Sequence, residues 1–316
     1  MRPLSSPTPA SGLSGERRKI LILGADGQLG RALRRKYARD PRAEFAGRQD
    51  LALIADRLES ARAWDEYGTI INAAAFTSVD RAETPRGRAE CWATNVAATA
   101  SLARIAATNS ITLVQISSDY VFDGISERPY REDDAVCPLG VYGQTKAAAD
   151  MIVATVRRHY VVRTSWVIGD GNNFIRTMLS LAERGVDPNV VNDQWGRLTF
   201  TSQLAEAIHH LLEKQCAFGT YNVSSSGPVI TWADVAQHVF SIAGHCVSRI
   251  SPVETRQYLK TVSGPFAPRP RNGALDLDKI IGSGYEPAPA HELIADYVRD
   301  HALGRAGNSN TGHHVR

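Results

Sequence analysis

Short runs of apolar residues alternate with amphipathic stretches along most of this chain. The apolar runs predict strands at KILILG, TIINAAA, ITLVQISS and HYVVRTSWV. The amphipathic stretches predict helices at GRALRRKYARD, Arg88–Thr108, GQTKAAADMIVATV, Asn173–Arg184, Ser202–Lys214 and Trp232–Gly244. Strands that are apolar throughout are typical of a parallel sheet covered by helices on both faces. The pattern therefore predicts an α/β fold with a doubly wound parallel sheet, the Rossmann arrangement.

The alternation weakens after about Ile168, which divides the predicted fold into two parts. Residues 18–168 are expected to form the sheet domain, and residues 169–303 a smaller mixed α/β region over the C-terminal edge of the sheet. Pro, Ser and Gly dominate residues 1–17, and Gly, Asn and His recur in residues 304–316. The first segment is therefore predicted to be flexible and the last to be a disordered tail.

Composition limits the possible functions without choosing one. The 316 residues are 43% hydrophobic and 22% charged, and they carry a formal net charge of +3. These values are ordinary for globular proteins and do not call for nucleic acid or a membrane surface as a partner. The four cysteines form no CxxC pair, and the histidines do not cluster at the spacing of a zinc site. We expect a globular protein of a reducing compartment, without a secretory signal or a membrane span.

A glycine-rich turn follows the first predicted strand. Gly24, Gly27 and Gly30 form a GxxGxxG motif that leads into a helix. Glycine at these places permits a tight turn and lets a pyrophosphate approach the helix N-terminus, whose free N–H groups favour an anion. The motif alone is a weak signal. Its place directly after an apolar strand near the chain start favours a dinucleotide site.

Charged residues near the end of the second predicted strand bear on the choice of dinucleotide. That strand is expected to end near Ala46, followed by Arg48. An acidic side chain here would bind the ribose 2′-hydroxyl of NAD, whereas arginine can pair with the 2′-phosphate of NADP. Arg48 therefore inclines the prediction towards NADP(H), with NAD(H) kept open. Arg31, Arg34 and Arg35 on the first predicted helix are better explained as a solvated helix face.

Ser118, Tyr142 and Lys146 carry the strongest chemical pattern. If a helix begins near Tyr142, the phenol and the Lys146 ammonium lie four residues apart on one face. A phenol is a poor acid or base near neutral pH unless a cation lowers its pKa, which Lys146 can do. The Ser118 hydroxyl can hydrogen-bond a substrate carbonyl. Together the three side chains can protonate a carbonyl oxygen while hydride arrives at its carbon.

Nine motifs that include these residues follow one another from about Lys19 to Tyr297. They are GADGQLGRAL, NAAAFTSVDRAE, SSDYVFDG, PYRED, PLGVYGQTK, RTSWV, GNNFIRTML, VNDQWG and PRPRNGALD. In this order they resemble the dTDP-4-dehydrorhamnose reductases, a family of extended short-chain dehydrogenases/reductases. GxxGxxG and YxxxK mark only the superfamily, whereas NAAAFTSVDRAE, SDYVFDG and RTSWV are much more specific.

The resemblance implies that NAD(P)H reduces the C4 keto group of dTDP-4-dehydro-L-rhamnose to give dTDP-L-rhamnose. It implies that Tyr142 is the general acid, that Lys146 assists it and holds the nicotinamide ribose, and that Ser118 replaces the family's usual threonine. With Arg48, the implied cofactor contacts are Gly24, Gly27, Gln28, Leu29, Gly30, Asp50, Leu51, Ala74, Ala75, Thr77, Tyr142 and Lys146. The implied substrate contacts are Ser118, Asp119, Trp166, Asn172, Asn173 and Arg269. Residues 169–303 are implied to be mainly a substrate-binding region.

Three places depart from the family's usual sequence. The acidic stretch after the second strand is matched only by Asp50-Leu51-Ala52-Leu53. Gly196-Arg197-Leu198-Thr199 stands where the family often has Gly-x-Pro-Thr. Ala32 occupies the place of a glutamate that binds Mg²⁺ at a dimer contact in some members. We therefore predict no metal site.

Other functions fit the same residues. A sibling 4-ketoreductase that gives the opposite C4 configuration, or acts on another nucleotide sugar, needs the same Tyr142 and Lys146. A non-catalytic NADP-binding regulatory subunit keeps similar residues, and an unrelated substrate on the same fold stays open. The resemblance also implies a dTDP-sugar substrate, a 3,5-epimerase acting upstream and a cytoplasmic location. A homodimer is one assembly consistent with it.

Overall fold

The computed structural model describes residues 18–50 and 60–309. In these ranges the strands are β1 (Lys19–Leu23), β2 (Ala43–Ala46), β3 (Tyr67–Asn72), β4 (Thr112–Ser118), β5 (His159–Thr164), β6 (Val167–Ile168), β7 (Asn189–Val191), β8 (Trp195–Gly196), β9 (Thr199–Phe200), β10 (Gly219–Asn222), β11 (Ile230–Thr231) and β12 (Ser251–Val253). The helices are α1 (Gln28–Lys36), α2 (Val79–Ala82), α3 (Pro85–Trp92), α4 (Ala98–Thr108), α5 (Val141–Val153), α6 (Phe174–Glu183), α7 (Thr201–Glu213), α8 (Trp232–Ile242), α9 (Thr255–Tyr258), α10 (Asp278–Gly282) and α11 (Ala290–Ser309). Each strand and helix predicted from the hydrophobic pattern is present, with ends shifted by a few residues.

The main sheet is parallel and has the strand order β10-β5-β4-β3-β1-β2. The chain builds outwards from β1 to β2 on one side, then returns to add β3, β4, β5 and β10 on the other. This reversal makes the sheet doubly wound, so the predicted fold class is confirmed. In such sheets ligands bind beyond the carboxyl ends of the strands, at the point where the order reverses. Here that point lies between β1 and β3.

Hydrophobic burial explains the layers. One face of the sheet packs against α1 and α7, and the other against α4 and the end of α5. A third cluster joins α6, α8 and the first turns of α11 beside the short strands β7 and β9. This third cluster is the separate core of the smaller region.

The boundary predicted at residue 168 is not where the sheet domain ends. Leu204, Ile208 and Leu211 on α7 are buried against α1, and β10 pairs with β5 at the edge of the sheet. The sequence did not indicate this return because β10 has only four residues, and three of them (Gly219, Thr220 and Asn222) are polar or glycine. Parts of 169–303 therefore complete the first domain, while α6, α8 and α11 form the smaller region.

The chain ends also differ in part from the prediction. Helix α11 continues to Ser309, so residues 304–309 of the predicted tail are helical, as expected where an established helix propagates at little cost. The predictions for residues 1–17, for Leu51 and for residues 310–316 lie outside the described residues. No helix within the described ranges is long and apolar enough to cross a membrane.

Candidate active site

The glycine-rich turn brings β1 against the loop after β3. Gly24 has φ +74°, and a Cβ atom there would lie 2.7 Å from the backbone nitrogen of Ala74. A Cβ atom at Gly30 would collide with the carbonyl oxygen of Gly24, which fixes how closely α1 packs on the turn. Both positions require glycine because backbone, which cannot move aside, fills the space.

The N-terminus of α1 is open for an anion. Gly27 precedes the helix and supplies no side-chain cap, so the first N–H groups of α1 are left to a ligand or to water. Gln28 opens the helix, and its buried Oε1 atom has no hydrogen-bond partner among the described residues. An uncapped helix end beside a close-packed glycine turn fits the pyrophosphate of a dinucleotide.

Buried amides hold the opposite wall of this cleft. Asn72 at the end of β3 donates from Nδ2 to Gln115 Oε1 at 2.8 Å, and its Oδ1 accepts from the Ala74 N–H at 3.3 Å. These bonds shape the loop that carries Ala74, Ala75 and Thr77. The three predicted cofactor contacts therefore lie on the segment that faces the glycine turn.

Ion pairs occupy the rim of the cleft. Arg34 lies 3.7 Å from Asp26, and Arg35 lies 2.5 Å from Asp170. The helical arginines therefore tie α1 to its surroundings, consistent with the surface role predicted for them. Asp50 Oδ2 accepts the Gly47 N–H at 2.8 Å, and Arg48 is exposed beside it at the end of β2. Its contact with a 2′-phosphate stays a prediction.

The start of α5 is set by residues far away in sequence. Glu83 Oε1 accepts the Val141 N–H at 2.8 Å and so caps the helix. A Cβ atom at Gly143 would collide with the carbonyl oxygen of Tyr120, so glycine is needed for α5 to approach this loop. The Tyr142 ring then packs edge to face on the Tyr120 ring, with ring centres 5.5 Å apart.

Ser118, Asp119 and Tyr142 form a connected group at the carboxyl end of β4. The Ser118 hydroxyl donates to Asp119 Oδ1 at 2.9 Å, and Asp119 is only 2% exposed. Burial raises the pKa of the Asp119 carboxyl to about 7. Burial also raises the pKa of the Tyr142 phenol, the Asp119 charge raises it further, and a hydrogen bond with Ser118 lowers it.

Lys146 lies beneath this group and is 2% exposed. Its ammonium donates to the Ile116 carbonyl oxygen at 2.5 Å, and burial lowers its pKa to about 8. The sequence predicted that Lys146 lowers the pKa of Tyr142, but the net shift of the phenol is upward. The reason is that loss of water around the phenol and the negative charge of Asp119 both raise the pKa, and only the hydrogen bond with Ser118 lowers it.

The Trp166 ring packs against Trp232 and Gly196 in the smaller region. Its backbone has φ +44°, which is rare for a residue other than glycine, and its ring stacks on Trp232 with centres 3.8 Å apart. A Cβ atom at Gly196 would lie 2.7 Å from the other side of the ring. Strained backbone of this kind persists where surrounding structure holds it, often at binding sites. The sequence indicated Trp166 but not its partner Trp232.

The remaining predicted substrate contacts are less direct. Asn173 caps α6 by accepting the Arg176 N–H at 3.1 Å, and its Nδ2 donates to the Gly169 carbonyl oxygen at 2.7 Å. Arg269 forms a two-pronged ion pair with Asp80, at 2.5 and 2.9 Å. Asn172 is exposed nearby in the chain. Asn173 and Arg269 therefore already make contacts that stabilise the fold. The predicted contacts of all three residues with a nucleotide diphosphate stay predictions.

One buried residue at the site was missed. Asn95 lies in a π-helical turn, residues 93–97, between α3 and α4. Its Oδ1 accepts the Phe76 N–H at 2.8 Å and its Nδ2 donates to Thr145 Oγ1 at 3.0 Å, so it links the β3 loop to α5. Single π turns are frequent at functional sites. No local sequence pattern indicates them.

A search for metal ligands gives no candidate in the described part of the chain. No group of three or more His, Cys, Asp or Glu residues there could hold a metal ion. Ala32, which occupies the place of the Mg²⁺-binding glutamate of some family members, is buried in the core against the sheet. The absence of a metal site stays a prediction.

Known proteins resemble this chain over nearly its whole length. A dTDP-4-dehydrorhamnose reductase of Aggregatibacter actinomycetemcomitans is 34% identical, over 83% of this chain and 92% of that protein. A dTDP-4-keto-6-deoxy-D-glucose reductase of Streptomyces niveus is 36% identical, over 84% and 91%. The crystal structure of dTDP-4-dehydrorhamnose reductase from Bacillus anthracis in complex with NADP superimposes with a TM-score of 0.79 at 28% identity, over 90% and 99%.

The family model described as the RmlD substrate binding domain matches residues 18–302. This range includes the glycine-rich turn, the Ser118–Tyr142–Lys146 group and the smaller region with Trp166. The resemblance found in the sequence motifs is therefore confirmed, and the chain belongs to the RmlD substrate binding domain family.

Proposed function

We propose that this protein is an NAD(P)H-dependent reductase of a 4-keto nucleotide sugar, and that it converts dTDP-4-dehydro-L-rhamnose to dTDP-L-rhamnose. The observation that carries the proposal is the group at the carboxyl end of β4. Ser118 and Asp119 share a hydrogen bond there, and the half-buried Tyr142 and the buried Lys146 stand four residues apart on α5. This arrangement can deliver a proton to a carbonyl oxygen.

The cleft between β1 and β3 would hold the dinucleotide. Gly24, Gly27 and the head of α1 would take its pyrophosphate, and Ala74, Ala75 and Thr77 would line the other side. NADPH or NADH, when bound, supplies the hydride for the sugar C4 atom. Arg48 is exposed where a 2′-phosphate would lie, which supports NADPH. The NADP complex of the Bacillus anthracis relative supports the same choice.

Tyr142 would donate the proton to the O4 atom of the sugar. A phenol whose pKa is raised by burial is fully protonated at neutral pH, as an acid in the reductive direction must be. Lys146 would contribute positive charge that stabilises the phenolate left behind. It would also donate to a ribose hydroxyl of the cofactor.

Ser118 would donate to the same carbonyl oxygen when its proton is free. In the structure that proton points to Asp119. Because burial raises the pKa of the Asp119 carboxyl to about 7, both of its protonation states are accessible near neutral pH. The protonated carboxyl can donate to the Ser118 oxygen, which turns the hydroxyl proton towards the substrate. The two protonation states of Asp119 therefore give Ser118 two different roles.

The stacked pair of Trp166 and Trp232 would support the deoxyhexose, and Arg269 the diphosphate. Leu198 stands where the family often has proline, and it is buried. The preceding residue, Arg197, donates to the carbonyl oxygens of Gly227 and Leu275 at 2.9 and 2.8 Å, which ties three segments of the chain together and is compatible with a substrate pocket. We further propose a cytoplasmic location, a 3,5-epimerase that supplies the substrate, and a homodimer.

A sibling 4-ketoreductase is the second candidate. The relative from Streptomyces niveus, at 36% identity, carries the name of a reductase of dTDP-4-keto-6-deoxy-D-glucose, a sugar named without epimerisation. Tyr142 and Lys146 would act identically in that reaction. The two candidates differ only in the sugar presented to them and in the configuration formed at C4.

The test is oxidation of NADPH and NADH with dTDP-4-dehydro-6-deoxyglucose, with and without a 3,5-epimerase. We expect oxidation only when the epimerase is present, and a product that NMR identifies as dTDP-L-rhamnose. Oxidation without the epimerase would favour the sibling reaction. Cofactor binding without oxidation in either mixture would contradict both reductases and favour a regulatory subunit or an unrelated substrate.

A further inference from the structure

Three charged side chains are buried together behind Tyr142. Lys146 and Asp150 lie one turn apart on α5, and Arg163 extends from β5. They are 2%, 6% and 5% exposed. Two buried cations thus lie near a single buried carboxylate, which is paired directly with Arg163. A buried charge is costly unless it is paired, so this arrangement needs a reason beyond packing.

Asp150 contacts one cation directly and influences the other. Arg163 donates from Nε to Asp150 Oδ2 at 3.1 Å. Arg163 also donates to the Glu132 carbonyl oxygen at 2.9 Å, which fixes the guanidinium in place. The other carboxylate oxygen of Asp150, Oδ1, is buried and has no hydrogen-bond partner among the described residues. Arg163 and the Ser117 hydroxyl both favour the ionised form of this carboxylate, whose negative charge acts on Lys146 one turn away.

Lys146 needs such a neighbour to stay charged. Burial lowers its pKa to about 8, and Asp150 is the strongest group acting in the opposite direction. Cys91 on α3 also faces Lys146, but burial raises the pKa of that thiol, so it is neutral at pH 7. Arg163 favours the ionised form of Asp150, whose pKa burial would otherwise raise further.

We propose that Asp150 is a positioning residue that keeps Lys146 in its charged form, and that Arg163 keeps Asp150 ionised and oriented for this task. The inference rests on the proposed function, in which a charged Lys146 supports proton transfer from Tyr142. A merely structural ion pair between β5 and α5 would leave the charge of Lys146 unchanged. This difference makes the two explanations separable.

The test measures the titration of Lys146 directly, by NMR of protein labelled with ¹³C at the lysine Cε atoms. The chain has six lysines, so the spectrum is simple, and loss of one resonance in Lys146→Met assigns the signal. In the unaltered protein we expect a midpoint near pH 8. Asp150→Asn should lower that midpoint by about one pH unit or more, because a buried lysine loses its counter-charge.

Two variants control for effects other than charge. Asp150→Glu restores the carboxylate and should return the midpoint towards that of the unaltered protein. Asp40→Asn removes an ion pair with Arg42 of 2.6 Å at the opposite end of the sheet, beside β2, and should leave the midpoint unchanged. If Asp150→Asn does not fold, Asp150→Ser makes the same charge change with a smaller side chain.

The pH profile of kcat/KM provides the second readout. Its alkaline fall should move to lower pH in Asp150→Asn by the same amount as the NMR midpoint, and should return in Asp150→Glu. An unchanged Lys146 midpoint in a folded Asp150→Asn or Asp150→Ser protein would overturn the inference. Because the NMR titration needs no substrate, this result is distinct from failure of the proposed reaction.

Discussion

The two halves of the proposed site are built in opposite ways. The cofactor cleft depends on glycines, since backbone atoms lie where a Cβ atom of Gly24 or Gly30 would be. The proton-donating group at β4 depends on side chains that are present and buried, among them Ser118, Asp119 and Lys146. Adding atoms should therefore damage the first half, whereas removing a single polar atom should damage the second. Mutations of each kind test this contrast.

The largest effect is expected from removing the phenol oxygen of Tyr142, which belongs to the group at the carboxyl end of β4. Tyr142→Phe should lower kcat by about 10²–10⁴-fold, the usual contribution of a positioned general acid. Cofactor affinity should be kept, because the cleft between β1 and β3 is untouched. Steady-state kinetics and a fluorescence titration with NADPH measure the two quantities.

The matched control for this variant is Tyr221→Phe. Tyr221 lies on β10, where its hydroxyl donates to the Ala217 carbonyl oxygen at 2.8 Å. Tyr221→Phe also removes a phenol oxygen and should leave kcat unchanged. Equal turnover in Tyr142→Phe and the unaltered protein would remove Tyr142 from the mechanism.

The contrast also explains how much the sequence could predict. Gly24 and Tyr142 belong to compact motifs, so their positions follow from neighbours in the chain. Glu83, by contrast, caps a helix that starts 58 residues later. Asn95 acts through a π-helical turn, and Trp232 through a stack on Trp166. Contacts between segments that are distant in the chain leave no periodic pattern in the sequence, so they become visible only in the folded structure.

The same reasoning applies to the fold. Apolar runs predicted β1, β4 and β5 because strands buried on both faces need continuous hydrophobic sequence. The edge strand β10 is short and partly polar, and its pairing with β5 could not be predicted. The pattern therefore indicated the class of fold correctly and misplaced its internal boundary.

Gly24→Ala should have the next largest effect, and it tests the cofactor half. The added methyl group would lie 2.7 Å from the Ala74 nitrogen, in a backbone conformation with φ +74° that alanine disfavours. Strain of roughly 1–3 kcal/mol, if it appears wholly in binding, weakens the cofactor about 5- to 150-fold. Calorimetric titration with NADPH measures the change.

Gly185→Ala separates strain from crowding. Gly185 has a similar φ of +72°, but a Cβ atom there would have nothing within 4 Å. It should reduce the free energy of unfolding by a similar backbone cost and leave cofactor affinity unchanged. Equal cofactor affinity in both variants would mean that close packing at Gly24 does not shape the cleft.

Arg48→Ala should have a smaller and selective effect. An exposed arginine that pairs with the 2′-phosphate should contribute about tenfold to NADPH affinity and nothing to NADH affinity. Arg35→Ala is the control, because Arg35 is paired with Asp170 at 2.5 Å and should not distinguish the two cofactors. Equal loss of both affinities in Arg48→Ala would mean that Arg48 does not read the 2′-phosphate.

The last expected effect is a fall in kcat/KM as the pH rises above neutral, and it concerns the half built from side chains. Lys146 is charged below its pKa of about 8 and loses its charge as the pH rises through that value. Asp119 loses its proton near pH 7 and then accepts a hydrogen bond from the Ser118 hydroxyl. Both changes lower kcat/KM with rising pH, so the profile should fall in two steps.

Substitutions that fix one charge separate the two steps. Lys146→Arg keeps a positive charge at every pH that the protein tolerates, since the guanidinium pKa exceeds about 12, and should remove the step near pH 8. Asp119→Asn cannot ionise and should remove the step near pH 7. If Lys146→Arg lowers the rate but keeps both steps, the upper one belongs to another group. Lys146 would then contribute to the side-chain half of the site through its hydrogen bonds and not through its charge.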